Sequence, residues 1–207
     1  MRQLALVLVL CGFSGCSLMS SRAPPKTEFD FGPEPHAVAH SPPLSQVQLV
    51  VNAVSAPTWM DGTAMYYRVA YQNAAIPLPY AESEWVTSPA ALLTERLRSS
   101  VAVHADDGPR LVGAHTAEVY TLHSELLEFE QIFDAPDRSH GVLRLRATLE
   151  GEGIWEQRTF ESERLAPTPN AAGGVTALAE CAEELARLLE DWVSASQSRS
   201  ASWANRN

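Results

Sequence analysis

The chain has 207 residues, 45% of them hydrophobic, which suits one domain with tails and excludes global disorder. A formal charge of −10, with no run of Lys and Arg, argues against a nucleic-acid surface, which needs clustered cations on one face. Three cysteines, Cys11, Cys16 and Cys181, are too few for a disulfide framework.

Residues 4–13 are apolar and follow Arg2. A membrane-spanning helix needs about 20 such residues, so this length fits the apolar region of a secretory signal. Phe13-Ser-Gly-Cys16 resembles the lipobox of bacterial lipoproteins, in which the cysteine is acylated and becomes the new N-terminus. Bulky Leu10 makes Cys11 a poor alternative. The resemblance implies a signal peptide over 1–15 and lipidation, palmitate included, at Cys16; a secretory signal cut elsewhere is the alternative. Burying acyl chains stabilises the membrane-bound form by about 0.8 kcal/mol per methylene, and two or more chains anchor stably. Ser17, where an Asp would resemble an inner-membrane retention signal, implies the periplasmic face of the outer membrane.

Residues 16–28 lack periodicity and read as a tether, reaching at most roughly 35–40 Å. Phe29 and Phe31 alternate ahead of Gly32-Pro33, a short strand ending in a turn; residues 34–45 are a Pro- and His-containing loop. Val47, Leu49 and Val51 share one strand face, with Val50 and Val54 on the other. Asp61-Gly62 closes a loop over 56–62. Met65, Tyr67, Val69 and Tyr71 alternate along the next strand, with Tyr66 and Arg68 opposite. Ser88 as N-cap and Pro89 at the first position open a helix carrying Leu92, Leu93 and Leu97 to about Ser99. A short strand over 101–104 and a turn over 106–109 follow.

Residues 116–133 read as one long or bent strand. Tyr120, Leu122, Ser124 and Leu126 alternate, then the apolar phase moves to Leu127, Phe129 and Phe133, as a bulge would produce. Leu143, Leu145, Ala147 and Leu149 alternate against Arg144, Arg146 and Thr148, a strand with one wet face. Gly151-Glu-Gly153 turns into a strand over 154–163. After a loop over 167–174, Val175, Leu178, Ala182, Leu185, Leu189 and Trp192 form a helical stripe of about 18 residues. Residues 194–207 read as a flexible tail. The expectation is one α+β domain over 29–193, a mixed, largely antiparallel sheet packed against two main helices.

A set of short stretches points further: Phe29-Asp-Phe-Gly-Pro33; Ala56-Pro-Thr-Trp59 with Asp61-Gly62; Met65-Tyr-Tyr-Arg68; Tyr80 with Trp85; Pro89, Leu92-Leu93 and Arg96-Leu97; Leu126-Leu-Glu-Phe-Glu-Gln131 with Phe133-Asp134. In this order, behind a lipobox, they resemble the ABC-type transport auxiliary lipoproteins, the group that includes the PqiC-like lipoproteins. The resemblance implies a non-catalytic part of an intermembrane transport system for lipids or other apolar compounds. It implies as partners a mammalian-cell-entry-type (MCE) protein, an ABC permease and its ATPase, and the outer membrane, with a second copy of the chain as a further candidate. No G-x-x-x-x-G-K-[ST] loop is present, so ATP is handled elsewhere. A lipid-carrying lipoprotein and a periplasmic hydrolase are the alternative functions.

Four residues stand out as partner or ligand contacts. Trp59 is either an exposed loop aromatic that docks a partner or a plug at the sheet's end. Tyr66, with Tyr67 and Tyr71, either lines an apolar groove or packs across strands. Arg68 either reaches a partner's carboxylate or a lipid phosphate, or pairs internally with Glu82 or Glu84. Trp85 completes the set. Gln131 is placed to hydrogen-bond a neighbouring strand or a partner. His36 and His40 are four apart in a Pro-containing loop, a poor zinc site, and no G-x-S-x-G elbow marks a hydrolase. No catalytic residue, metal ligand or cofactor is assigned. Cys181 lies beside the helical stripe, as a buried thiol would, or as one that pairs with another chain.

Overall fold

The computed structural model describes residues 25–33, 48–104, 119–151 and 153–204. The opening segment with Cys11 and Cys16, the loop over 34–45, the turn over 106–109 and His36, His40 and His115 lie outside the described residues.

Seven strands form one mixed sheet: β1 (Thr27–Phe29), β2 (Gln48–Val51), β3 (Ala64–Val69), β4 (Ala74–Trp85), β5 (Val119–Ala135), β6 (Arg138–Gly151) and β7 (Ile154–Leu165). The helices are the four-residue α1 (Ala70–Asn73), α2 (Pro89–His104) and α3 (Ala171–Ala204). The main path is β1-β4-β3-β5-β6-β7, and β2 also pairs with β5. This is the α+β architecture expected.

β5 organises the sheet. Its first residues pair in parallel with β2 (Val50 opposite Thr121), and its later ones in parallel with β3 (Tyr67 opposite Gln131). β2 and β3 thus lie one after the other along one side of β5. On the other side β5 runs antiparallel to β6, with a register shift between Leu126 and Glu128. That shift sits where the apolar phase changes, and it keeps both Leu126 and Phe129 on the buried face. The β6–β7 hairpin turns at Gly153, whose φ of +74° lies in the left-handed region that favours glycine.

α2 opens as expected: Ser88 Oγ accepts the Ala91 N–H at 3.3 Å, and Pro89 is its first residue. No strand forms over 101–104, because α2 continues through His104. α3 begins at Ala171, four residues before the expected stripe. Asn170 caps it, Oδ1 accepting the Gly173 N–H at 2.9 Å. Gly173 and Gly174 belong to the helix rather than to a loop; a Cβ on Gly174 would run into Gln131 Oε1. The stripe from Leu178 through Ala182, Leu185 and Leu189 to Trp192 packs on the apolar face of β5, β6 and β7. Each fully buried leucine contributes about 1.5–3 kcal/mol.

Two boundaries are corrected. Thr27 and Glu28, placed in the tether, belong to β1, which pairs with Ser83 and Glu84 of β4. Residues from 194 on, expected as a flexible tail, continue α3 to Ala204. Ser196 is fully buried and donates to Glu156 Oε2 at 2.8 Å, and Arg199 donates to the same oxygen at 2.7 Å. Hydrogen bonds and charge fix this last stretch where the apolar stripe has ended.

β4 is the strand that periodicity does not announce, because it contains Pro77 and Pro79. It tolerates them because β1 covers only its last residues, so among the described residues the rest of that side has no partner strand. Its register against β3 shifts between Ala64 and Tyr66.

Candidate functional site

Trp59 and Tyr66 meet on the sheet face away from α2 and α3, and Arg68 lies two residues beyond Tyr66 on the same face. β3 alternation places Met65 and Tyr67 toward the core, and Tyr66 and Arg68 on the opposite face. Trp59 lies in a single 3-10 turn (Thr58–Met60) whose Met60 is buried and anchors it. Trp59 remains 44% exposed and stands edge-on to Tyr66, ring centroids 5.3 Å apart. It is an accessible aromatic on a fixed turn and does not plug the sheet.

Arg68 has a different partner from the one expected. Its Nε donates to Glu130 Oε1 at 2.6 Å, and its Nη1 donates to the Ala74 carbonyl at 2.9 Å. The parallel β3–β5 pairing sets Arg68 beside Ile132, bringing Glu130 within reach on the same face. Glu84 instead accepts from Lys26 at 3.2 Å. Glu130 is 1% exposed, and burial pushes its carboxyl above the usual carboxylate range; Arg68 pulls it back only in part. Beside it, Arg144 pairs with Glu128 at 3.2 Å and Arg146 with Glu125 at 3.0 Å.

Trp85 does not belong with these three. It is 1% exposed and packs against Phe31 and Phe129, at centroid distances of 5.9 and 5.3 Å. Phe31 also lies 6.0 Å from Phe129 and under the Arg96 guanidinium at 5.7 Å. Trp85 is therefore a core residue and meets no partner in the folded domain. Five stretches of the chain converge here: Phe31 from beyond β1, Trp85 from β4, Arg96 from α2, Phe129 from β5 and, through its ion pair to Arg96 at 3.5 Å, Glu183 from α3.

A polar junction sits nearby. The Tyr80 hydroxyl donates to Gln131 Oε1 at 2.8 Å, and Gln131 Nε2 donates to Ser139 Oγ at 2.7 Å. Gln131 thus joins β4, β5 and β6 and packs against Gly174 of α3. Burial, with Tyr67 adding to it, pushes the Tyr80 hydroxyl up to about 12, so it stays a donor at any ordinary pH. Tyr67 packs between Tyr80 and Phe133, while Tyr71 falls in α1 and stays exposed. Cys181 is the buried thiol expected. Its Sγ donates to the Gly141 carbonyl at 3.5 Å, and burial pushes it up to about 11. A thiol so protonated and enclosed is a poor nucleophile. Among the described residues, no three His, Cys, Asp or Glu side chains are placed to hold a metal ion.

What this arrangement offers chemically is contact: an exposed tryptophan against a half-buried tyrosine, with an arginine on the same face of the sheet. No family model and no curated protein matches the chain. Its fold is similar to the crystal structure of protein XCC0632 from Xanthomonas campestris, described as DUF330, at 16% identity and a TM-score of 0.63, covering 78% of this chain and 94% of that one. It is also similar to the structure of an uncharacterized protein at 15% identity and a TM-score of 0.60, covering 82% of this chain and 99% of the other.

Proposed function

We propose that this chain is a non-catalytic auxiliary lipoprotein of an ABC-type intermembrane transport system for lipids or other apolar compounds. Cys16 anchors it in the outer membrane from the periplasmic side, and its domain docks an MCE-type periplasmic assembly. One observation carries the reading. The stretches behind the family resemblance are scattered along the chain, yet Phe31, Trp85, Arg96, Phe129 and the Tyr80–Gln131 pair meet around one core. They do so in a fold shared with a DUF330 protein. The mechanism is protein docking, with Trp59, Tyr66 and Arg68 as the contact residues.

Lipidation is tested by palmitate labelling in a Gram-negative host. The wild-type chain takes up label and sediments with the outer membrane; Cys16→Ala takes up none and moves to the soluble periplasm. Label in Cys16→Ala would show that Cys16 is not the acylated residue.

A further inference from the structure

Among the described residues, the edge of the sheet opposite β7 is formed by β1, which pairs there with β4 alone. The Phe29 carbonyl accepts the Val86 N–H at 2.9 Å. Successive residues of a strand aim their N–H and C=O groups to opposite sides, so those of Glu28 and Asp30 face away from β4. Beside β1 lies a groove of about 430 Å³, between that strand with the turn after it and the first half of α3. Its floor is apolar: Phe29, Val86, Val175 and Ala179, with Val86 48% exposed. Its rim is acidic: Glu28 and Asp30 from one wall, Glu180 and Glu183 from the other. Glu183 is paired with Arg96, whereas Glu28, Asp30 and Glu180 carry no ion pair among the described residues.

We propose that this groove receives an extended, basic segment of a partner protein as an added strand along β1. The open backbone edge selects an extended chain, the floor takes its apolar side chains, and the unpaired carboxylates take its Lys or Arg residues. Anionic lipid headgroups would meet like charge here and are disfavoured. The edge itself is short and twisted into a turn, where the Gly32 N–H donates to Asp30 Oδ1 at 2.7 Å. The groove therefore suits one short segment rather than a continuing sheet. The assignment goes beyond the transport reading and stands whichever assembly the partner belongs to.

The test uses the full chain in nonionic detergent and a short fluorescent peptide of alternating Lys and Val. The control peptide has the same charge and a Pro at its centre, which blocks strand pairing. The alternating peptide should bind at least about tenfold more tightly than the control, and hydrogen exchange over residues 27–31 should slow when it binds. The triple variant Glu28→Gln, Asp30→Asn, Glu180→Gln should weaken binding by about tenfold or more. All three residues are exposed, so the circular-dichroism melt should be unchanged. Absence of binding, equal binding of the Pro peptide, unchanged exchange over 27–31, or full affinity in the triple variant would each overturn the proposal.

Discussion

On one face of β5 and β6 stand Leu122, Leu126, Phe129, Leu143, Leu145 and Leu149, each 3% exposed or less. On the other stand Glu125, Glu128, Glu130, Arg144 and Arg146, joined in cross-strand ion pairs or, for Glu130, to Arg68 of β3. The same two strands make both faces by alternation. The covered face holds the domain together by removing apolar surface from water, and α3 completes it. The open face contributes specificity of register, since a slip of one residue would set arginines against the leucine layer. Its exposed pairs are worth little individually. Arg68–Glu130 is the exception, because Glu130 is buried on a face that is otherwise wet.

Substitutions on the covered face should cost most. Trp85→Ala removes an aromatic held by Phe31 and Phe129 and should destabilise by about 3–5 kcal/mol in urea unfolding. A loss below about 1 kcal/mol would mean that the aromatic cluster does not hold the core together.

On the open face, Arg68→Ala strands a buried carboxylate and should cost about 3 kcal/mol at neutral pH. That is far more than Arg146→Ala, whose exposed pair with Glu125 is worth roughly 0.2–1 kcal/mol. Similar losses for the two arginines would erase the distinction between the buried pair and its neighbours.

The two faces also differ in how they answer to pH. Glu130 is raised above 4.5 by burial, so the folded protein holds that proton more tightly than the unfolded chain. Its contribution is full below pH 4.5 and is lost as pH rises through the folded-state value. Glu156, near the end of α3, is lowered below 4.5, first by the hydrogen bond from Arg199 and then by that from Ser196. Its contribution is present above pH 4.5 and is lost as pH falls through its lower folded value. Urea midpoints measured across pH should flatten above 4.5 in Glu130→Gln, and below 4.5, by less, in Glu156→Gln, whose carboxylate reaches solvent.

The covered face was the more legible half of this molecule. Alternation from Tyr120 to Leu126 and from Leu143 to Leu149, the phase change after Leu126, the Ser88-Pro89 helix start and the stripe to Trp192 all report burial directly. β4 was hidden because Pro77 and Pro79 are tolerated only through an edge that topology creates. The early start of α3 was hidden because Gly173 and Gly174 read as a loop, although Gly174 is required by close packing on Gln131. The far end of α3 is held by Glu156 from another strand, which helical periodicity does not register. The candidate site was harder. Trp59 and Tyr66 do adjoin, but Trp85 and Trp59 look alike in sequence, and only the fold shows that one is core and the other exposed. Arg68 meets Glu130 through a parallel pairing across β5 that local spacing does not encode. The groove joins Glu28 to Glu180 from opposite ends of the chain.

Docking is the claim on which the rest depends. The most direct measurement is in-cell photocrosslinking from position 59, with Trp59 replaced by a photoreactive amino acid in the full chain. The crosslinked product is then purified from whole-cell extract and identified by mass spectrometry. An MCE-domain protein is the expected crosslinked partner, its yield falling when Arg68→Ala is added. Efficient crosslinking to other proteins, with no MCE-domain protein among them, would contradict the docking.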